Sequence, residues 1–136
     1  WKKSIFVEKI DFFKVLYRVR LVSDLYQWKL KIEEEQRKGD KSNMEELKLL
    51  ENAIEKLKQN YKAGQILPKR TYPSAYKEYS RKYAEEIEID KLWVLKVSSD
   101  WRVIYTVVGN EIEIISFILD SMSHKKYDRK FHFRTS

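Results

Sequence analysis

Four side chains in the last third of the chain are of types that could act together on a phosphodiester: Lys96, Arg102, His124 and Tyr127. An arginine presents a planar fork of donors to phosphate oxygens. A histidine titrates near neutral pH and can take or give a proton. A tyrosine can stack on a base or donate a proton. By residue type alone, an arginine on a strand is more often a solvated or ion-paired residue than a catalytic one. A structural role and a catalytic role for Arg102 therefore both stay open.

The chemistry that this set matches is the cleavage of RNA through its own 2′-hydroxyl. That reaction needs one group to remove the 2′-hydroxyl proton, one to protonate the leaving 5′-oxygen, and positive charge beside the phosphorane. A donor placed where charge develops contributes about 3–4 kcal/mol, or about 10²–10³ in rate. Arg102 with Lys96 would supply the charge, and His124 with Tyr127 the proton transfer or the stacking.

The net charge favours a polyanionic partner, such as nucleic acid, a ribosome or an acidic protein segment. The chain has 28 basic and 21 acidic residues, which gives +7. Residues 68–83 and 121–136 each carry five cations against one acid. Ordinary solvation by charged side chains explains much of the remaining surface equally well. We predict RNA contacts by Arg81, Lys82, Lys91, Lys125, Lys126, Arg129 and Lys130.

Several other kinds of site are not predicted. The chain has no cysteine, two histidines and three glycines, which argues against thiolate chemistry, a zinc cluster and a Gly-rich phosphate loop. We therefore expect no metal and no cofactor. The apolar stretches are far shorter than the roughly 18 residues of a spanning helix. Since no signal-peptide pattern is visible either, we expect a cytoplasmic protein with no membrane partner.

The four candidate residues depend on a predicted β-meander. Three runs are typical of strands: Leu92–Val97, Trp101–Val108 and Glu111–Leu119. Strict alternation in the middle run places Arg102 on the face opposite the preceding tryptophan. Gly109 and Asn110 tolerate positive φ and predict a hairpin turn. A basic tail with His124 and Tyr127 follows the third run.

The N-terminal part predicts a strand followed by a helix. Trp1–Phe13 has no clean period and is treated as an extension of unknown role. Lys14–Val22 alternates and predicts the first core strand. Ser23 or Asp24 can cap a helix that continues to about Lys38.

A second helix and a connection come next. Ser42 with Glu45 predicts a capping box at the start of this helix, and Gly64 predicts its C-terminal cap. Gln65–Ser74 predicts a surface connection. A tyrosine row at helical spacing indicates a short third helix whose rings either pack in the core or stack on nucleobases. The row consists of Tyr76, Tyr79 and Tyr83.

These elements predict an α+β fold in which an antiparallel sheet of about four strands packs against an N-terminal α-helical hairpin. The length of 136 residues predicts a single domain, 1–136, with its core at about 14–133.

Four segments and their order resemble the RelE/ParE toxin superfamily. They are Asn60–Gly64, Leu92–Val97, Trp101–Val107 and His124–Asp128. The most specific part is the Arg-Val-Ile-Tyr strand that begins at Arg102, followed by the His-x-x-Tyr pair in the tail. The resemblance covers about 14–133. The chain departs from the usual pattern in its first thirteen residues and in the long connection Gln65–Asp90.

The resemblance implies a RelE-like, microbial-ribonuclease-like fold and a toxin that cleaves mRNA on the ribosome. A cognate antitoxin would hold it inactive. The catalytic roles of the family then fall on Arg102 at the scissile phosphate, on His124 and Tyr127 in proton transfer or stacking, and on Lys96 beside them. Two alternatives stay open: a ParE-like toxin that binds DNA gyrase, and a non-catalytic nucleic-acid-binding member of the same fold.

Overall fold

A computed structural model describes residues 15–110 and 112–131. The predicted extension Trp1–Phe13, the predicted strand start at Glu111 and the last residues of the predicted core lie outside this part of the chain. Within it, no helix is long and apolar enough to cross a membrane.

The described chain forms a five-stranded sheet with helices on both faces. The elements, in chain order, are β1 (Leu16–Leu21), α1 (Ser23–Arg37), α2 (Met44–Gln59), a 3-10 turn (Tyr61–Ala63), β2 (Gln65–Leu67), α3 (Pro73–Lys82), β3 (Leu92–Ser98), β4 (Trp101–Gly109), β5 (Glu113–Ser123) and α4 (His124–Phe131). The class is therefore α+β, as predicted.

The prediction of about four antiparallel strands is wrong in strand number and in direction. The strand order is β1-β5-β4-β3-β2, and β1 runs parallel to β5, with Leu16 opposite Glu113 and Leu21 opposite Ile118. The segment predicted as a surface connection supplies β2, which pairs with β3 at the other edge. Local periodicity indicates that a run is a strand, but it carries no information about which distant strand pairs with it.

The central strand β4 is buried on both of its faces. Val103, Ile104 and Tyr105 are all 0% exposed. Val103 and Tyr105 belong to a cluster with Leu50 and Leu57 of α2, whereas Ile104 belongs to a second cluster on the opposite face. The predicted alternation of β4 is therefore confirmed, because neighbouring residues of a strand point to opposite faces.

The sheet is not covered by one helical pair alone, and this is a second difference from the prediction. Helices α1 and α2 occur where the apolar spacing predicts them and pack on one face. The other face is covered by α3 and α4, which contribute Tyr79 and Phe131 to its cluster. The residues of α4 were predicted as a tail with no fixed position, since a short charged segment has little periodic signal.

The second helix does not begin with a capping box. It starts at Met44, and its preceding residue makes no side-chain cap. The Ser42 N–H donates instead to Asp40 Oδ1 at 2.9 Å, within the turn. Ser42 therefore lies one residue before the N-cap position, which Asn43 occupies.

Gly64 does not cap this helix either, because α2 ends at Gln59. Gly64 has a φ of −97°, which any residue adopts. A Cβ at this position would lie 2.7 Å from the Tyr105 hydroxyl. The glycine is thus required by close packing and not by backbone conformation.

The predicted chain reversal at Gly109 and Asn110 occurs, with a longer turn than two residues. Strand β4 ends at Gly109 and β5 begins at Glu113. The Asn110 side-chain oxygen accepts from the N–H groups of Ile112 and Glu113 at 2.8 and 3.0 Å. The asparagine therefore closes the turn by its side chain.

Tyr105→Phe tests how the segment before β2 is fastened to the sheet. The Tyr105 hydroxyl donates to the Tyr61 carbonyl at 2.8 Å and accepts from the Gly64 N–H at 3.0 Å. Its loss leaves both backbone groups unpaired, so we expect the free energy of unfolding to fall by about 1–3 kcal/mol. Urea denaturation measures the change. Tyr26→Phe, at an exposed tyrosine, is the matched control and should stay within about 0.5 kcal/mol of the parent; equal losses in both variants would contradict the prediction.

Candidate functional site

Lys96 and Arg102 stand directly opposite each other on neighbouring strands. They are register partners across β3 and β4, so both side chains leave the sheet on the same face. This is the face covered by α3 and α4, because Arg102 alternates with Trp101 and Val103, which belong to the cluster on the α1–α2 face. Two like charges side by side destabilise a sheet pair. An anionic ligand would relieve that repulsion.

Both cations line a cleft of about 320 Å³. The remaining lining residues are Ala63, Gly64, Gln65, Val94 and Tyr127. Residues 63–65 form one wall of this cleft, and the sequence gives no signal for that wall. Its position depends on the pairing of β2 with β3.

The Arg102 guanidinium is held by the turn between β3 and β4. Its Nη1 donates to the carbonyls of Ser98 at 2.9 Å, Trp101 at 3.1 Å and Ser99 at 3.3 Å. Among the described residues, only this nitrogen of the guanidinium is bonded, and no carboxylate pairs with it. Backbone dipoles thus hold the cation in place while its other donors keep capacity for a ligand.

Tyr127 of α4 lies over the guanidinium. The Arg102 guanidinium carbon is 6.0 Å from the centre of the Tyr127 ring, and this ring also packs on Phe131 at 4.8 Å between ring centres. Burial raises the pKa of Tyr127 to about 12. At neutral pH its phenol is protonated and is a weaker acid than an exposed tyrosine, which suits a hydrogen-bond donor or a stacking ring and does not suit a general base.

His124 is the first residue of α4 and does not line the cleft. Its backbone N–H donates to the Asp100 carbonyl at 2.7 Å, within the same turn that holds Arg102. Its Nε2 lies 3.1 Å from Asp128 Oδ2, and its Nδ1 is buried without a hydrogen-bond partner among the described residues. The structure thus brings Lys96, Arg102 and Tyr127 into one cleft and places His124 beside the turn at its end.

The predicted RNA contacts fall into two groups. Five side chains are exposed and make no ion pair within the described chain. They are Arg81, Lys91, Lys125, Lys126 and Arg129. The other two support packing of α3: Lys130 pairs with Glu78 at 2.9 Å and covers the Tyr79 ring, and Lys82 pairs with Asp24 at 3.5 Å.

The tyrosine row of the third helix packs in the core. Tyr79 and Tyr83 are buried, and Tyr76 donates to the Ile89 carbonyl at 2.6 Å. The Tyr79 hydroxyl donates to Asp120 at 2.7 Å. These tyrosines therefore pack in the core. Stacking on nucleobases would need exposed rings.

Within residues 15–110 and 112–131, no group of three or more His, Cys, Asp or Glu side chains could hold a metal ion. Comparisons of the chain with protein-family models, curated proteins and solved structures found no match. The family resemblance accordingly depends on the residues and on the order of elements described above.

Tyr127→Phe tests the burial of the phenol beside Arg102. The pKa of Tyr127 is raised to about 12 in the folded chain, above the value of about 10 for an exposed tyrosine. The folded state therefore keeps a proton that the unfolded state loses, and this contribution to stability is present below about pH 10 and is lost as the pH rises towards 12. We expect the unfolding free energy of the parent to fall more steeply over this range than that of the variant. Urea denaturation at a series of pH values measures this, and equal slopes would contradict it.

Proposed function

We propose that the chain is the toxin of a toxin–antitoxin module and cleaves mRNA on the ribosome through the RNA 2′-hydroxyl. The observation that carries this proposal is the cleft in which Lys96 and Arg102 face each other beside a neutral phenol. A phosphodiester is an anion of the right kind for two adjacent cations on a rigid sheet.

Arg102 has the role of binding the scissile phosphate. Its Nη1 is occupied by three carbonyls, so the rest of the planar fork contacts the phosphate oxygens. Lys96 adds a second positive charge from the opposite strand. Because the Arg102 guanidinium is already held by the three carbonyls, it stabilises the phosphorane without reorganisation during the reaction.

His124 and Tyr127 have the proton-transfer and stacking roles. In the described chain His124 Nε2 pairs with Asp128 and Nδ1 is buried, so His124 acts on a phosphodiester only after its side chain or α4 moves. Tyr127, protonated at neutral pH, donates a proton or stacks on a base. Both residues belong to α4, so a small displacement of this helix moves them together relative to Arg102.

The order of elements also supports the proposal. A strand, two helices and an antiparallel meander followed by a basic segment are the features on which the resemblance to RelE-like toxins depends, and β1, α1, α2 and β3–β5 have that order. The implied partner is a cognate antitoxin with an acidic segment. It would cover Arg102 and the exposed cations of α4.

Arg102→Ala tests the phosphate-binding role. We expect the growth arrest on expression to disappear, because the loss of one donor to the transition state lowers the rate by about 10²–10³. Primer extension on translated mRNA should show codon-positioned breaks for the parent and breaks weaker by about 10²–10³ for the variant. Arg37→Ala is the matched control, since Arg37 forms an exposed ion pair with Glu34 on α1, and such pairs contribute little.

Persistent toxicity of folded Arg102→Ala would refute the assigned site. Intact mRNA together with DNA-damage signalling would favour the gyrase-binding alternative. RNA binding that weakens with salt but yields no cleavage product would favour the non-catalytic one.

The double variant Arg102→Ala/His124→Ala tests whether the two residues act on the same phosphodiester. Groups that act as one unit in catalysis are strongly non-additive. We therefore expect each single variant to lose most of the cleavage activity. The double variant should cleave only slightly less than the less active of the two single variants, as measured by primer extension. Independent, multiplicative losses would show that His124 does not act at the Arg102 site.

A further inference from the structure

A second cleft lies on the other face of the sheet, between the first turns of α1 and α2 and the ends of β4 and β5. Its volume is about 270 Å³. The described residues that line it are Leu25, Trp28, Asn43, Glu46, Trp101 and Ser121. Trp28 and Trp101 pack against the cluster on the α1–α2 face, whereas Arg102 points to the opposite face. This cleft is therefore separate from the candidate catalytic site.

Two tryptophans form its aromatic walls. Both are half-buried, and the Trp101 Nε1 donates to Ser121 Oγ at 2.7 Å. That bond fixes the orientation of the indole ring and uses its only donor. The π-faces of tryptophan attract cations more strongly than those of the other aromatic residues.

Glu46 is the charged member of the described lining residues. It is half-buried, belongs to the first turn of α2, and makes no ion pair within residues 15–110 and 112–131. The neighbouring Asn43, which makes no side-chain cap to α2, offers a second oxygen acceptor.

We propose that this cleft binds an organic cation that carries N–H donors, an alkylguanidinium or alkylammonium group. Trp28 and Trp101 would contact the cation and its alkyl part, while Glu46 and Asn43 accept its N–H bonds. The group comes either from a free small molecule or from an arginine side chain of a partner protein. The chemistry of recognition is the same in both cases.

The indole N–H resonances of the full chain provide the test. Ethylguanidinium is titrated into the protein, with the neutral isostere ethylurea as the ligand control. Trp28→Phe and Trp101→Phe assign the two resonances. We expect both to shift saturably with ethylguanidinium, with a Kd of about 1–10 mM, while Trp93 on β3 stays unchanged. Ethylurea should produce no saturable shift.

Glu46→Gln should lower the affinity for ethylguanidinium about tenfold. Glu45→Gln changes the neighbouring, exposed carboxylate on α2 and should leave this affinity unchanged. No saturable shift, an equal response to ethylurea, or equal effects of the two substitutions would overturn the proposal. The comparison with ethylurea holds on the parent chain even if Glu46→Gln fails to fold. The peptide acetyl-Gly-Arg-Gly-amide distinguishes the sources: tighter binding than ethylguanidinium assigns the site to a partner side chain, and binding no tighter assigns it to a small molecule.

Discussion

Burial of β4 on both of its faces sets the layered arrangement of the whole molecule. Three consecutive residues of this strand, from Val103 to Tyr105, are 0% exposed. A strand buried on both faces needs a layer of helices on each, and α1–α2 and α3–α4 provide them. Each of the two clefts is lined by a residue from the start of β4, Arg102 under the α3–α4 layer and Trp101 under the α1–α2 layer.

An irregularity in β5 joins the second helical layer to the sheet. Ile104 pairs with Asp120 whereas Tyr105 pairs with Ile118, so Leu119 is an extra residue. The bulge turns Asp120 towards α3, where it accepts from the Tyr79 hydroxyl. Burial and the neighbouring Asp120 charge raise the pKa of Tyr79, which keeps this phenol protonated as a donor. The covering layer is thus fastened by a hydrogen bond to a carboxylate in addition to apolar contact.

The candidate catalytic cleft combines a rigid part with a more loosely held part. Lys96 and Arg102 belong to paired strands, and Arg102 is further held by three carbonyls. Tyr127 and His124 belong to an eight-residue helix at the end of the described chain. Because an isolated helix of this length is marginal in water, the position of α4 depends on its contacts with the sheet and α3. The Arg102 charge is therefore fixed at the site, whereas the groups assigned to proton transfer are positioned by the packing of α4.

Periodicities within short runs were enough to predict the strands of the meander, the positions of α1 and α2, and the face from which Arg102 projects. Composition also pointed to the residue types of the candidate catalytic set. Folding in three dimensions places β1 parallel to β5, lets β2 close one cleft, and brings Tyr127 of α4 over Arg102 while His124 stays outside the cleft lining. The same holds for the cleft that joins Trp28, Glu46 and Trp101. These features depend on contacts between residues far apart in the chain, and no local pattern of side chains encodes such contacts.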